Sequence, residues 1–495
     1  MDNAPKPAPP AKPASSRPWA IAAILIMTCC LIHLWIVTAG LKGWPVYTDY
    51  YGRLTDAFLH GQLNLRDGPP PKMLALSDPY DPYANAHYRL HDASLYNGKY
   101  YLYWGPAPAL VAAAFCWIIR DVDPKFGDQY LVLIYMSGTT ILATILIFQI
   151  RARFFPKQPP WSAAFAVLTL GLGTPVLYTL ARSAIYEASL AAGQFFLMAG
   201  FLAAWFGVQN RRASLLALAG FCWAMSAGSR IALVPAIGII ALLTAWQLRG
   251  LGRRTALNIF ALFLPLLAGA VLHAWYDYAR FGSVTEFGLH YQLANVNQHA
   301  LPASELSGAR FIVPNAINYL LMPPYLIARF PYVIALRQAT VEQAMHPWQV
   351  RAETVTGIVW SQPFFIFIFP ALAVLWSGSN DPNQKLKRWL ALSLLVGGVL
   401  GFGPALTIHD STMRYLIDAV PCLAVLSAFG YWALIDWLAS KPKLAREAGA
   451  AACVFTIWAV PMGLLMGFYG YYAHFPMFNP ELYNAIRDWM PTIRW

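Results

Sequence analysis

The chain is poor in charge. Of its 495 residues only 12% are Asp, Glu, Lys or Arg, against about 25% in a soluble globular protein. With 58% hydrophobic residues, that deficit excludes a disordered or collagen-like chain and argues against a soluble enzyme. Cysteine is sparse too. Cys29, Cys30, Cys116, Cys222, Cys422 and Cys453 all lie inside apolar segments, where a thiol behaves as a small hydrophobe, so neither a disulfide framework nor a zinc cluster is indicated. No GxxxxGK[ST] loop, paired Rossmann fingerprint or HExxH motif occurs. The usual nucleotide-binding motifs are thus missing, and a protein-held metal is not supported. The net charge is +12, but the basic residues are dispersed between apolar runs, which does not point to nucleic acid.

Long apolar runs are what the chain has instead. A lipid-crossing helix needs about 20 mostly apolar residues. Runs of that kind lie near 19–41, 129–150, 161–180, 188–208, 257–279, 357–377, 389–408, 414–438 and 447–470. The stretch 215–247 is too long for one helix and breaks at Gly228-Ser229-Arg230, giving two short ones. Residues 1–18, rich in Pro, Ala and Lys, read as a disordered tail. The run 106–119 would reach only ~21 Å as a helix, short of the ~30 Å hydrocarbon core. It opens with Pro106 and Pro108, as helix starts can, and is expected to embed halfway and return. The fold class is therefore an all-α polytopic membrane protein, with about 11 transmembrane helices and a re-entrant or juxtamembrane helix in the first outer loop.

Charge placement orients the spans. With 106–119 not crossing, the inner segments carry Lys6, Lys12 and Arg17; Arg151, Arg153 and Lys157; Arg211 and Arg212; Arg249, Arg253 and Arg254; Lys385, Lys387 and Arg388; and Lys441, Lys443 and Arg446. Every inner loop is then basic, as the positive-inside rule requires. Acidic residues other than Asp2, Asp381, Asp436 and Glu447 fall on or near the outer side. Chemistry is expected there, in loops 42–128 and 280–356 and the aromatic tail 471–495.

The first outer loop opens with Tyr47-Thr48-Asp49-Tyr50-Tyr51-Gly52-Arg53. A carboxylate held among aromatic rings at the lipid surface is partly desolvated and becomes a better base; the plainer reading of Asp49 is a cap for a following helix. Farther on come His91-Asp92 and Tyr96-Asn97-Gly98-Lys99-Tyr100, a hairpin signal. The stretch runs through Tyr103-Trp104-Gly105-Pro106 into the half-embedded helix, and its plain reading is an interfacial aromatic belt. Arg230 is flanked by apolar residues on both sides. Such an Arg is costly in a membrane and normally paired or functional, and its planar guanidinium suits phosphate. Snorkelling or a pair with Glu187 is the alternative. Arg280 reads as a phosphate contact or a span-end anchor. In His409-Asp410-Ser411-Thr412-Met413-Arg414-Tyr415, Asp410 reads as a helix cap, while Arg414 and Tyr415 are candidates for substrate contact. Asp121-Val122-Asp123 matches a DxD pattern by chance, and Asp78-Pro79-Tyr80-Asp81-Pro82 reads as a turn.

An Asp just after the first span, a Gly-Lys-aromatic stretch entering a Pro-rich half helix, and an acidic residue at the next outer turn resemble the GT-C superfamily of integral-membrane glycosyltransferases. The nearest likeness is to the protein O-mannosyltransferase and lipid A aminoarabinose transferase branch, in layout over about residues 19–250. By that resemblance Asp49 falls at the catalytic Asp and Glu187 at the second outer acidic position, usually Asp. Arg230 lies where relatives carry a Lys that meets the lipid phosphate. The family's Lys-Pro-Pro is replaced by Trp104-Gly105-Pro106, so Lys99 is the substitute cation, and His91 and Asp92 join the acidic and substrate group.

The resemblance implies an enzyme of a bacterial inner membrane, with its N-terminus cytoplasmic and C-terminus periplasmic. It would move a sugar from a polyprenyl-phosphate carrier to an acceptor hydroxyl on a glycan, lipid or protein, with inversion. No cofactor is required, and a divalent cation is left open. The organisation expected is a tail 1–18, a transmembrane module 19–279 including loop 42–128, an acceptor loop 280–356, C-terminal helices 357–470 and a tail 471–495. A secondary transporter, which would need titratable groups near the midplane, and a non-catalytic envelope-complex or lipid-binding subunit are the competing classes.

Overall fold

The computed structural model describes residues 17–120, 122–250, 254–335, 353–376, 381–471 and 473–493. Most of the N-terminal tail, Asp121 of the DxD match, Arg253 and residues 336–352 of loop 280–356 lie outside the described residues. Nine helices are long and apolar enough to cross a membrane among the described residues: Arg17–Val37, Gln129–Phe154, Pro160–Ala181, Ile185–Asn210, Ile231–Leu248, Thr255–Phe281, Pro382–Thr407, Val420–Ser440 and Pro442–Tyr469. Shorter apolar helices occupy Ala107–Ile118, Ala213–Ser229 and Pro363–Trp376. The protein is an all-α, multi-pass membrane protein.

Local sequence explains the breaks. The long apolar run 213–248 stops at Ser229, where Arg230 takes an extended conformation (φ −142°, ψ 98°), and resumes through a tight turn at Ile231–Leu233. Pro235 then sits in the first turn of the next helix, where its missing N–H costs nothing. The last apolar run before 440 is helical only from Val420; Met413–Asp418 is a 3-10 turn that carries Arg414, Tyr415 and Asp418. The run 357–377 is cut at Pro363 into a single turn and a short helix.

The Ala107–Ile118 helix is 12 residues long, hence about 18 Å. It buries Ala107, Ala109 and Ala112 and leaves Leu110, Phe115, Trp117 and Ile118 exposed. Its start touches the broken run of Arg230 so closely that a Cβ on Gly105 would lie 2.0 Å from the Gly228 carbonyl oxygen. Only glycine permits that approach of two backbones. Ahead of it stands the expected hairpin, Ser94–Tyr96 against Lys99–Tyr101, with Asn97 (φ 47°) and Gly98 (φ 70°) as its turn, the left-handed pair that a two-residue hairpin prefers.

Loops 42–128 and 280–356 are joined. The Asp92 amide donates to Leu293 O at 3.0 Å and the Leu293 amide to Ala93 O at 2.9 Å, while Ser94 Oγ donates to Gly288 O at 2.8 Å. Arg89 donates to Ala294 O and to Asn295 Oδ1, and Asn297 Nδ2 to Asp78 Oδ2. The tail is tied down as well: His474 bridges Tyr47 and Ile36 O, and Asn479 reaches Ala39 O.

Candidate active site

Where the loops meet the helix ends there is a cavity of about 1320 Å³. Its walls come from the segment 91–105, the turns at 182–190 and 227–235, the end of the Thr255–Phe281 helix, the loop 287–298, and the segments near 404–415 and 469–471.

One wall is a ladder of alternating guanidinium groups and phenol rings. Arg182 lies 4.8 Å from the Tyr471 ring centre and 5.3 Å from that of Tyr186. Tyr186 takes Arg414 at 4.6 Å, Arg414 lies 5.6 Å from Tyr415, and Tyr415 takes Arg230 at 5.2 Å. All six line the cavity. Each arginine has a carboxylate near it. Arg230 donates from Nε and Nη2 to Asp418 Oδ2 at 3.1 and 2.9 Å. Arg414 donates to Glu353 Oε2 at 2.6 Å. Glu187, fully buried, lies 3.8 Å from both Arg182 and Arg414 and accepts the Ala184 amide at 3.3 Å. Paired charges tolerate burial, and the pairing fixes the orientation of each fork. N–H groups remain: Arg414 Nε is buried without a hydrogen bond, and Arg230 Nη1 has none among the described residues. Burial by itself raises the Glu353 carboxyl, but Arg414 and Arg182 outweigh it and hold it below the usual carboxylate range. Asp418 moves the other way: burial keeps its carboxyl high despite Arg230.

Facing the ladder is Asp92. Its backbone is left-handed (φ 64°), a conformation Asp tolerates better than most residues. Oδ1 accepts Gln292 Nε2 at 2.8 Å and Oδ2 lies 3.4 Å from His91 Nε2. Burial pushes this carboxyl up, against the opposing pull of His91, Gln292, Arg414 and Arg182. His91 and Asp92 both line the cavity.

Several expected site residues stand elsewhere. Asp49 is not on the cavity wall. Its carboxylate accepts Arg53 Nε at 2.8 Å and is 38% exposed, so it is not held dry. The reason is the cap of the Tyr50–Leu59 helix, which comes from Asp128: its carboxylate accepts the Tyr50 and Tyr51 amides at 3.0 and 2.9 Å and the Thr48 hydroxyl at 2.5 Å. Asp49 is left free to pair on the helix surface. Lys99 is exposed on the hairpin, off the cavity. Arg280 borders the cavity, but its donors are occupied by Leu102 O, Tyr276 O and Asp277, making it a structural anchor. Thr412 stands at the N-cap of the Met413–Asp418 turn, and Asp410 pairs with His409 at 3.3 Å. Glu187 sits behind the wall, holding two arginines. Arg230, Arg414, Tyr415, His91 and Asp92 are brought together as a site. Arg182, Glu353 and Asp418 were not picked out from the sequence. Asp418 had a legible signal, a lone acid inside an apolar run; Glu353 had none.

No family model matches the sequence, and no curated protein sequence matches it. Solved structures similar in fold include the Archaeoglobus fulgidus oligosaccharyltransferase in its apo form, 15% identical over 90% of this chain and 55% of that chain, with a TM-score of 0.48. The archaeal oligosaccharyltransferase AglB of Archaeoglobus fulgidus, in complex with an inhibitory peptide and a dolichol-phosphate, is 14% identical over 92% of this chain and 56% of that chain, with a TM-score of 0.44. The chain thus spans little more than half the length of these neighbours, which are glycosyltransferases of the GT-C superfamily. At this identity the likeness is one of fold alone.

Proposed function

We propose that the protein is a membrane glycosyltransferase of the GT-C kind. It takes its sugar from a polyprenyl-phosphate carrier and passes it to an acceptor hydroxyl on the periplasmic side of a bacterial inner membrane. The observation that carries this reading is the arginine–tyrosine ladder lining a cavity at the ends of apolar helices. A guanidinium stacked on aromatic rings and fixed by a carboxylate is a preorganised phosphate donor set. The ladder arginines are balanced by Glu187, Glu353 and Asp418, so an anion would be held by directed N–H groups rather than by excess charge. Beside Arg230, Ile231 and Val234 are exposed and apolar, a path on which an isoprenoid tail can lie while its phosphate meets the ladder.

In the proposed reaction Asp92 accepts the acceptor's hydroxyl proton, with Gln292 and His91 fixing its carboxylate. The hydroxyl oxygen forms a bond to the anomeric carbon, the carbon–phosphate-oxygen bond breaks, and the polyprenyl phosphate leaves as an anion against Arg230 and Arg414. A single displacement of this kind inverts the anomeric carbon, and it needs no cofactor. Asp92 takes the base role because its carboxylate lies in the cavity, whereas that of Asp49 is paired on the surface of its helix.

The experiment is chemical analysis of a deletion strain. Lipid-linked sugars and envelope glycans are isolated with and without the gene. Accumulation of one polyprenyl-phosphate sugar, with loss of the same sugar from an envelope component, is the expected result. Unchanged lipid-linked sugars and unchanged envelope composition would overturn the assignment. The transporter reading finds no support in the site, since the cavity carboxylates lie at helix ends and in loops.

A further inference from the structure

The cavity has a second, chemically different wall. Between Glu286 and Glu305 the chain carries no Asp, Glu, Lys or Arg. It supplies amides and rings instead: Gln292, Asn295 and Gln298 line the cavity, and Oε1 of Gln298 is buried with no hydrogen-bond partner among the described residues. Next to it rises an open aromatic patch. His299 stacks on Tyr80 with ring centres 4.4 Å apart and 17° between planes, and His290 lies 4.5 Å from His299. Both histidines are exposed. The nearby charges of Arg89 and Asp78 are spent on fastening this loop to the first one, so they do not define the surface chemistry.

We propose that this wall is the acceptor subsite and that the acceptor is a neutral saccharide chain. The inference rests on the glycosyltransferase reading and deepens it. A sugar ring has an apolar C–H face that packs on aromatic rings and hydroxyls that both donate to and accept from side-chain amides. An orphan buried amide oxygen at the cavity edge costs free energy until a donor meets it, and a sugar hydroxyl supplies one. A phosphorylated lipid headgroup would instead find no cation in this stretch. The register also fits: Gln292 lies in the same segment and donates to Asp92, so a saccharide held along 292–299 would bring a terminal hydroxyl to the proposed base.

The test uses the full chain in lipid nanodiscs, applied to an array of short neutral gluco-, manno-, galacto- and xylo-oligosaccharides with an unglycosylated Ser/Thr-rich peptide alongside. Displacement of a fluorescent polyprenyl phosphate is measured in parallel. At least one oligosaccharide is expected to bind, and Gln298→Ala or His299→Ala to weaken it roughly tenfold with polyprenyl-phosphate binding unchanged. His299 is exposed, so its variant guards against loss of folding. Polyprenyl-phosphate binding without any saccharide binding, preference for the peptide, or saccharide binding by both variants equal to that of the unmodified protein overturns the acceptor assignment alone. Absence of polyprenyl-phosphate binding in the unmodified protein overturns the donor reading and this one with it.

Discussion

Asp92 and Arg230 divide the proposed chemistry between them. Replacement Asp92→Asn keeps shape and a hydrogen-bond acceptor but removes the base. Transfer is expected to fall by roughly 10²–10⁴-fold with donor affinity retained; full turnover in folded protein would show that another group takes the proton. Because burial raises the Asp92 carboxyl, the acid limb of the transfer rate should lie above the ordinary carboxylate range, active base appearing as pH rises through it. For Arg230, alanine would strand the buried Asp418, so lysine is the sharper change. It keeps a positive charge for Asp418 but loses the fork that serves carboxylate and phosphate together. Donor binding by Arg230→Lys is expected to weaken by about 1.5–3 kcal/mol, read by displacement of a labelled polyprenyl phosphate. Equal affinity would mean that Arg230 serves Asp418 alone.

Elements that carry the site are held by a close backbone contact at one place and by a side-chain cap at a second. The Ala107–Ile118 helix start and the broken run of Arg230 touch through Gly105 and Gly228. Gly105→Ala must push them apart, at a cost of about 1–3 kcal/mol, and should lower both the melting temperature and donor affinity. A variant with lowered stability but intact affinity would show that the contact does not set the ladder's position. The second place is the cap donated by Asp128, whose carboxyl burial pushes up to about 6 despite the hydrogen bonds from Thr48 and the two amides. The folded form holds its proton more tightly than the unfolded chain, whose Asp titrates near about 3.9. The contribution of Asp128 to stability is therefore complete below that value and falls as pH rises to about 6. The melting-temperature difference between the unmodified protein and Asp128→Asn should shrink or reverse across that window. A constant difference would place the Asp128 titration elsewhere.

The whole molecule joins a lipid-facing helical body to a cavity at one face, and its proposed orientation puts that face outside. Tyr83, 92% exposed in the first loop, and Lys443, at the start of the last long helix, lie on opposite predicted sides. With a membrane-impermeant maleimide on intact spheroplasts, Tyr83→Cys is expected to label and Lys443→Cys to label only after lysis. The reverse pattern would put the cavity in the cytoplasm.

Hydropathy and turn chemistry were legible in the linear chain because they are local. Apolar run length marked most of the long helices but not the break of 357–377 at Pro363; Asn97-Gly98 marked its hairpin, Gly228-Ser229-Arg230 marked the helix break, and the shortness of 106–119 matched a helix of 12 residues. Asp78 and Asp81 formed the turns their Pro-rich context announced, each accepting the amide two residues on. What depended on distant partners was not legible. Which acid caps the Tyr50–Leu59 helix was decided by Asp128, 78 residues from Tyr50, and that choice moved Asp49 off the cavity wall. Arg182 with Tyr186, Arg230, Arg414 with Tyr415, and Tyr471 come from four separate segments of the chain, and their alternation exists only once the helices pack. Spacing along a chain records short-range backbone preference, whereas ion pairs and ring stacks record which helix ends meet, and only tertiary structure brings those ends together.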